Sequence, residues 1–133
     1  MTKKEGTFYR SLVFSFLIRE EPRLDSSKGI VASDLDLRIG NHNTGKFKNI
    51  ESKEGRGVPS QCQHDILSGL PGGYELVKLD IYKPKKVLEM EEDMRRRGEE
   101  LTRLKCEYLN GIIYKEKFMH WDAFVDELIK DLS

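Results

Sequence analysis

The sequence predicts a small α/β fold, and three features carry that expectation. The segment IVASDLDLRI, residues 30–39, alternates apolar and polar side chains; a glycine- and asparagine-rich turn leads from it into KFKNIESK; and a helical segment, SQCQHDIL, then precedes a further alternating run, YELVKLDIY. Strand, hairpin, strand, helix and strand in that order build a layered sheet-and-helix core.

The elements follow in order. From Phe8 to Arg19 apolar residues dominate, and Pro22 ends the segment because its ring cannot continue a helix. LDSSKG is a polar loop. Within residues 30–39, Val31, Ser33, Leu35, Leu37 and Ile39 fall on one face, and Ala32, Asp34, Asp36 and Arg38 on the other, the period of a single strand. GNHNTGK supplies residues that tolerate positive φ and is the hairpin turn. In the return strand Glu51 and Lys53 lie two apart and so share a face. Ser60 is placed to cap the next helix, whose apolar side is Ile66, Leu67 and Leu70, and PGG closes it. In the strand after it, Val77, Leu79 and Ile81 oppose Lys78 and Asp80.

Beyond Pro84, the apolar residues Val87, Met90, Met94, Leu101, Leu104 and Tyr108 recur at helical spacing, which predicts one long amphipathic helix with Gly98 as a weak point of about 1 kcal/mol relative to alanine. Its apolar stripe serves either to pack on the chain's own sheet or as a dimer seam. The last segment, HWDAFVDELIKDL, places Trp121, Phe124, Val125, Leu128 and Leu132 on one helical face. A chain of 133 residues suits a single domain, here a core over 8–82 with a C-terminal helical extension over 85–133.

Lys plus Arg and Asp plus Glu both total 23, so no global field draws the chain to a polyanion or a membrane surface, and any such site must be local. No apolar run approaches the roughly 20 residues of a membrane span, and no cleavage signal follows the N-terminal apolar stretch. A cytoplasmic protein with two reduced cysteines, Cys62 and Cys106, is the expectation. The three histidines, His42, His64 and His120, form no HxH or HExxH, and no GxxxxGK[ST] is present.

The chemistry concentrates in the hairpin. Asp34 and Asp36 share one face of their strand, Glu51 and Lys53 share one face of the next, and a tight turn joins the two. Clustered carboxylates repel and raise one another's pKa, a cost that a divalent cation removes. Carboxylate oxygens suit Mg²⁺ or Mn²⁺, and a lysine beside such a cation can stabilise charge developing on a phosphodiester. As a plain surface pair, Glu51 and Lys53 would contribute at most about 1 kcal/mol.

Over residues 29–82 the segments GIVASDLDLRI, FKNIESKEGRGVPSQCQHDIL and GGYELVKLDIY resemble the PD-(D/E)XK nuclease superfamily and are most similar to VRR-NUC and Holliday-junction-resolvase-like nucleases. The resemblance implies a restriction-endonuclease-like core, a mixed central sheet flanked by helices. SDL at Ser33 to Leu35 stands at the PD-L position, with serine in place of proline, which implies Asp34 as a metal ligand, Asp36 remaining its rival. The resemblance further implies Glu51 as the second ligand, Lys53 as the catalytic lysine, and Gln63 of SQCQ as the residue that helps hold the site. Glu20 or Glu21 can add an acid from the first helix. The implied activity is Mg²⁺- or Mn²⁺-dependent endonucleolytic cleavage of DNA, branched DNA included, by a homodimer built through the long helix.

Substrate contacts are expected from Arg56, just after the E-x-K segment, and from Lys83, Lys85 and Lys86; Arg95, Arg96 and Arg97 are flanked by acids that can pair with them. Phosphate contacts position without reading bases, so cleavage should be structure-selective or weakly sequence-specific. The alternative is a catalytically degenerate nucleic-acid-binding or protein-interaction module on the same fold.

Overall fold

The computed structural model describes residues 13–32, 38–55, 60–92 and 94–133, with backbone only at 94–97 and 99. A helix whose described part spans residues 13–20 (α1) leads through a turn of 3₁₀ helix, Ser26–Lys28, into three strands, β1 (Ile30–Ala32), β2 (Arg38–Asn41) and β3 (Phe47–Glu54). Helix α2 (Gln61–Ser68), strand β4 (Glu75–Ile81), helices α3 (Lys85–Glu92) and α4 (Met94–Glu107), strands β5 (Leu109–Tyr114) and β6 (Lys117–Met119), and helix α5 (Trp121–Leu132) complete the chain. The strands form one sheet in sequence order, antiparallel throughout except for β3 and β4, which α2 connects in parallel. The fold is α/β.

Three expectations change. Residues 30–39 are not one strand, because β1 and β2 pair antiparallel with Ala32 opposite Ile39. The long helix is two. Val87 and Met90 of α3 share an apolar cluster with Leu101 of α4, and Glu91 lies 3.5 Å from Lys105. In one continuous helix, residues 14 apart would be separated by about 21 Å, so the chain folds back between α3 and α4. Val87, Met90 and Leu101 are thereby buried within the chain instead of facing outward as a dimer seam. The region 85–133 is also not purely helical, since it contributes β5 and β6 to the sheet.

Alternation along the strands divides the sheet into two faces. One carries Ile39, Ile50, Val77, Leu79, Ile112 and Tyr114, all buried, beneath Val13, Phe14 and Ile18 of α1 and Phe124, Val125, Leu128 and Leu132 of α5. Phe124 is the centre of this layer, with ring centroids of Phe14 and Tyr114 at 5.8 and 5.1 Å in edge-on geometry. The other face carries Asn49, Glu51 and Lys53 of β3 and Lys78 of β4. Of the described helices, α2 touches it. The expected burial of α2 through Ile66 does not occur, for Ile66 is 66% exposed and no residue of α2 is buried.

Charged groups fasten the edges of the core. Lys48 reaches Glu75 at 2.5 Å and Asp131 at 3.3 Å, while Lys115 reaches Asp131 at 3.0 Å. Burial raises the Asp131 pKa, but hydrogen bonds from Lys115 and Lys48 outweigh it and leave the carboxyl below its ordinary value. At the start of α5, Glu21 accepts from Arg23 at 2.8 Å and from the Trp121 indole at 2.9 Å. The Arg23 hydrogen bond holds the Glu21 carboxyl below the usual range, against the opposing effect of burial. A depressed carboxylate pKa stabilises the fold above the unfolded value of about 4.3 and loses that contribution as pH falls through the folded value. Glu21→Gln should therefore flatten the acid limb of the stability-versus-pH curve below about pH 4.3, measured by urea unfolding across pH. An unchanged limb would mean that Glu21 has the same affinity for a proton folded and unfolded.

Candidate functional site

Three of the residues singled out in the sequence meet on the open sheet face. Lys53 Nζ lies 3.4 Å from Glu51 Oε1 on its own strand and 3.4 Å from Gln63 Oε1 on α2. Strand pleating aligns the first pair, and a capping box positions the second. Ser60 caps α2 through its hydroxyl, which accepts from the Gln63 amide at 3.2 Å, while Gln63 Oε1 accepts from the Ser60 amide at 3.1 Å. The S-x-x-Q spacing thus turns the glutamine carbonyl back toward the helix start, where it meets the lysine.

The strand that carries Glu51 and Lys53 is pinned on either side of them. Asn49, nearly fully buried, donates to the carbonyls of Pro71 and Gly73 at 3.0 and 2.9 Å and accepts from Arg38 Nε at 2.8 Å. That ties the turn after α2 to β3. Glu54, next to Lys53 but on the opposite face, accepts from the buried Lys105 at 2.9 Å, and Lys105 also faces Glu91, which Lys83 approaches at 3.0 Å. Four charged groups therefore join the end of β3 to both helices of the α3–α4 hairpin.

A fourth residue belongs with the site. Lys78 stands directly opposite Lys53 in the parallel register of β3 and β4, on the same face and partly buried. Two ammonium groups on neighbouring strands, about 4.8 Å apart at the backbone, repel unless an anion lies between or beside them. Alternation in YELVKLDIY puts Lys78 opposite Val77 and Leu79, but only the pairing of β3 with β4 puts it beside Lys53.

The other candidates are placed differently. Asp34, Asp36 and Arg56 lie outside the described residues. Lys83 is engaged by Glu91, Lys85 is 89% exposed and 3.9 Å from Glu89, and Lys86 is exposed. All three follow the end of β4 rather than flanking Lys53. The Glu21 carboxylate is held by Arg23 and Trp121 beside the buried core. His64 bonds the Tyr74 hydroxyl at 2.9 Å, and His120 immediately precedes α5. Burial, then the charges of Glu54 and Glu107, push the Cys106 thiol up to about 11, so it is protonated at neutral pH.

Among the described residues no three His, Cys, Asp or Glu side chains converge as a metal site. Glu51 presents a hard carboxylate oxygen of the kind Mg²⁺ takes. Against known protein families, curated proteins and solved structures, the chain has no match.

Proposed function

We propose that the chain is a Mg²⁺- or Mn²⁺-dependent endonuclease that hydrolyses phosphodiester bonds in DNA. The observation that carries this reading is the meeting of Lys53 with Glu51 and Gln63 on the sheet face left open by the core. A mixed sheet flanked by helices, with the E-x-K segment on a strand and the S-x-x-Q segment on the helix after it, supports a restriction-endonuclease-like core.

In this reading Glu51 and one of Asp34 or Asp36 hold the cation. When bound, such a cation would supply Lewis-acid polarisation of the phosphoryl group and make an attacking water more acidic. Lys53, fixed between Glu51 and Gln63, faces the negative charge that grows on the phosphate oxygens. A water oxygen bonds to phosphorus and gives up a proton as the bond to the leaving oxygen breaks, and the leaving oxygen takes up a proton. Lys78 adds a second positive charge to the same row and holds the backbone phosphate without reading bases.

The test is incubation of the full chain with plasmid, nicked duplex and four-way-junction DNA in the presence of Mn²⁺. Cleavage by the wild type, and its loss in Glu51→Gln together with Mn²⁺ binding measured by calorimetry, is the expected result. A wild-type protein that cuts none of these substrates overturns the enzymatic reading. DNA binding without cleavage would instead point to the degenerate binding module, which the Lys53–Lys78 pair serves equally well.

A further inference from the structure

On the same open face, the register runs unbroken across four strands, from Lys53 to Lys78, then Ile113 of β5 and Phe118 of β6. Two ammonium groups thus share a row with an apolar side chain and an aromatic ring. Phe118 is 53% exposed. Its position is built. Gly111 lies beneath it, where a Cβ would stand 2.5 Å from Phe118 Cζ, so only glycine leaves room for the ring on the sheet. The His120 ring braces its side edge-on at 5.8 Å.

We infer that Phe118 is a stacking platform for an unpaired base of a nucleic acid whose backbone phosphate is held at Lys53 and Lys78. Lys78 and Phe118 are two strand spacings apart, about 10 Å at the backbone, a span that one nucleotide covers from its phosphate to the far edge of its base. Positive charge beside an exposed ring is the combination that single-stranded nucleic acid recognises, because its bases are free to stack while those of a duplex are occupied with one another. Phe47, another exposed ring on this face, is a poorer platform, for the Arg38 guanidinium already covers it at 4.7 Å. This inference rests on the nucleic-acid reading of the face and narrows the substrate to DNA with single-stranded segments, such as flaps, gaps and branch points.

Fluorescence anisotropy with a labelled oligothymidine strand and a labelled duplex, both with EDTA to prevent cleavage, tests it. Phe118→Ala should weaken single-strand binding by about 5- to 100-fold with no comparable loss for the duplex, and Phe118→Trp should keep the affinity. Wild-type affinity in Phe118→Ala overturns the inference, as does wild-type affinity in Phe118→Leu, which would make the contact merely apolar. A wild-type dimer that Phe118→Ala dissociates in sedimentation also overturns it, since a second copy would then cover the ring. The two readings fail separately: absence of cutting with Phe118-dependent strand binding removes the nuclease alone, and cutting with no Phe118 dependence removes the platform alone.

Discussion

Lys53→Ala is expected to lower DNA cleavage by at least roughly 100- to 1,000-fold while leaving the fold and Mn²⁺ binding in place. The size of the effect follows from position. An ammonium held between Glu51 and Gln63 does not reorganise as charge develops on the phosphate, and a preorganised donor of that kind is worth far more in the transition state than in the ground state. Its contribution to folding is small by comparison, because the pair with Glu51 is partly solvated and such pairs contribute about 0–1 kcal/mol. Single-turnover cleavage, urea unfolding and calorimetric Mn²⁺ titration separate the three quantities. Undiminished cleavage by Lys53→Ala would remove lysine from the chemistry, and lost Mn²⁺ binding would make its role structural.

Phe124→Ala is expected to cost about 3–5 kcal/mol, read from the urea midpoint at constant slope. The ring is fully buried between Phe14, Trp121 and Tyr114, and alanine would leave a cavity that three other aromatic rings cannot collapse into without leaving their own contacts. Ile66→Ala on α2 is the internal comparison, expected within about 0.5 kcal/mol because the side chain is mostly in water. A loss below 1 kcal/mol for Phe124→Ala would mean that α5 is peripheral to the core.

That contrast shows where the sequence misleads. Alternation in YELVKLDIY gave β4 and its buried Val77 and Leu79 correctly, and Ser60 as a cap gave the start of α2. The same logic assigned residues 85–133 to an appended helical segment, whereas β5 and α5 are central to the core. The β5–β6 hairpin was illegible because its turn is Lys115–Glu116, both at positive φ, where the usual signal is Asn-Gly. The fold-back between α3 and α4 was illegible because a continuous helix and a helical hairpin share one apolar spacing. At the site, Glu51 and Lys53 follow from strand period, while Gln63 was marked only by the resemblance of SQCQ to an S-x-x-Q segment and its capping contact is seen only in the structure. Lys78 does not, because parallel register between distant segments leaves no trace in local spacing.

The anchors on β3 have one more consequence. Sliding this strand by a single residue would turn Glu51 and Lys53 under α1 and α5 and expose Ile50 and Ser52, burying two charges in hydrocarbon. Asn49 on the Pro71 and Gly73 carbonyls and Glu54 on Lys105 forbid that movement from both ends. The chain cannot mispair here and keep its interior, so any molecule that has folded at all presents its acid and its amine outward.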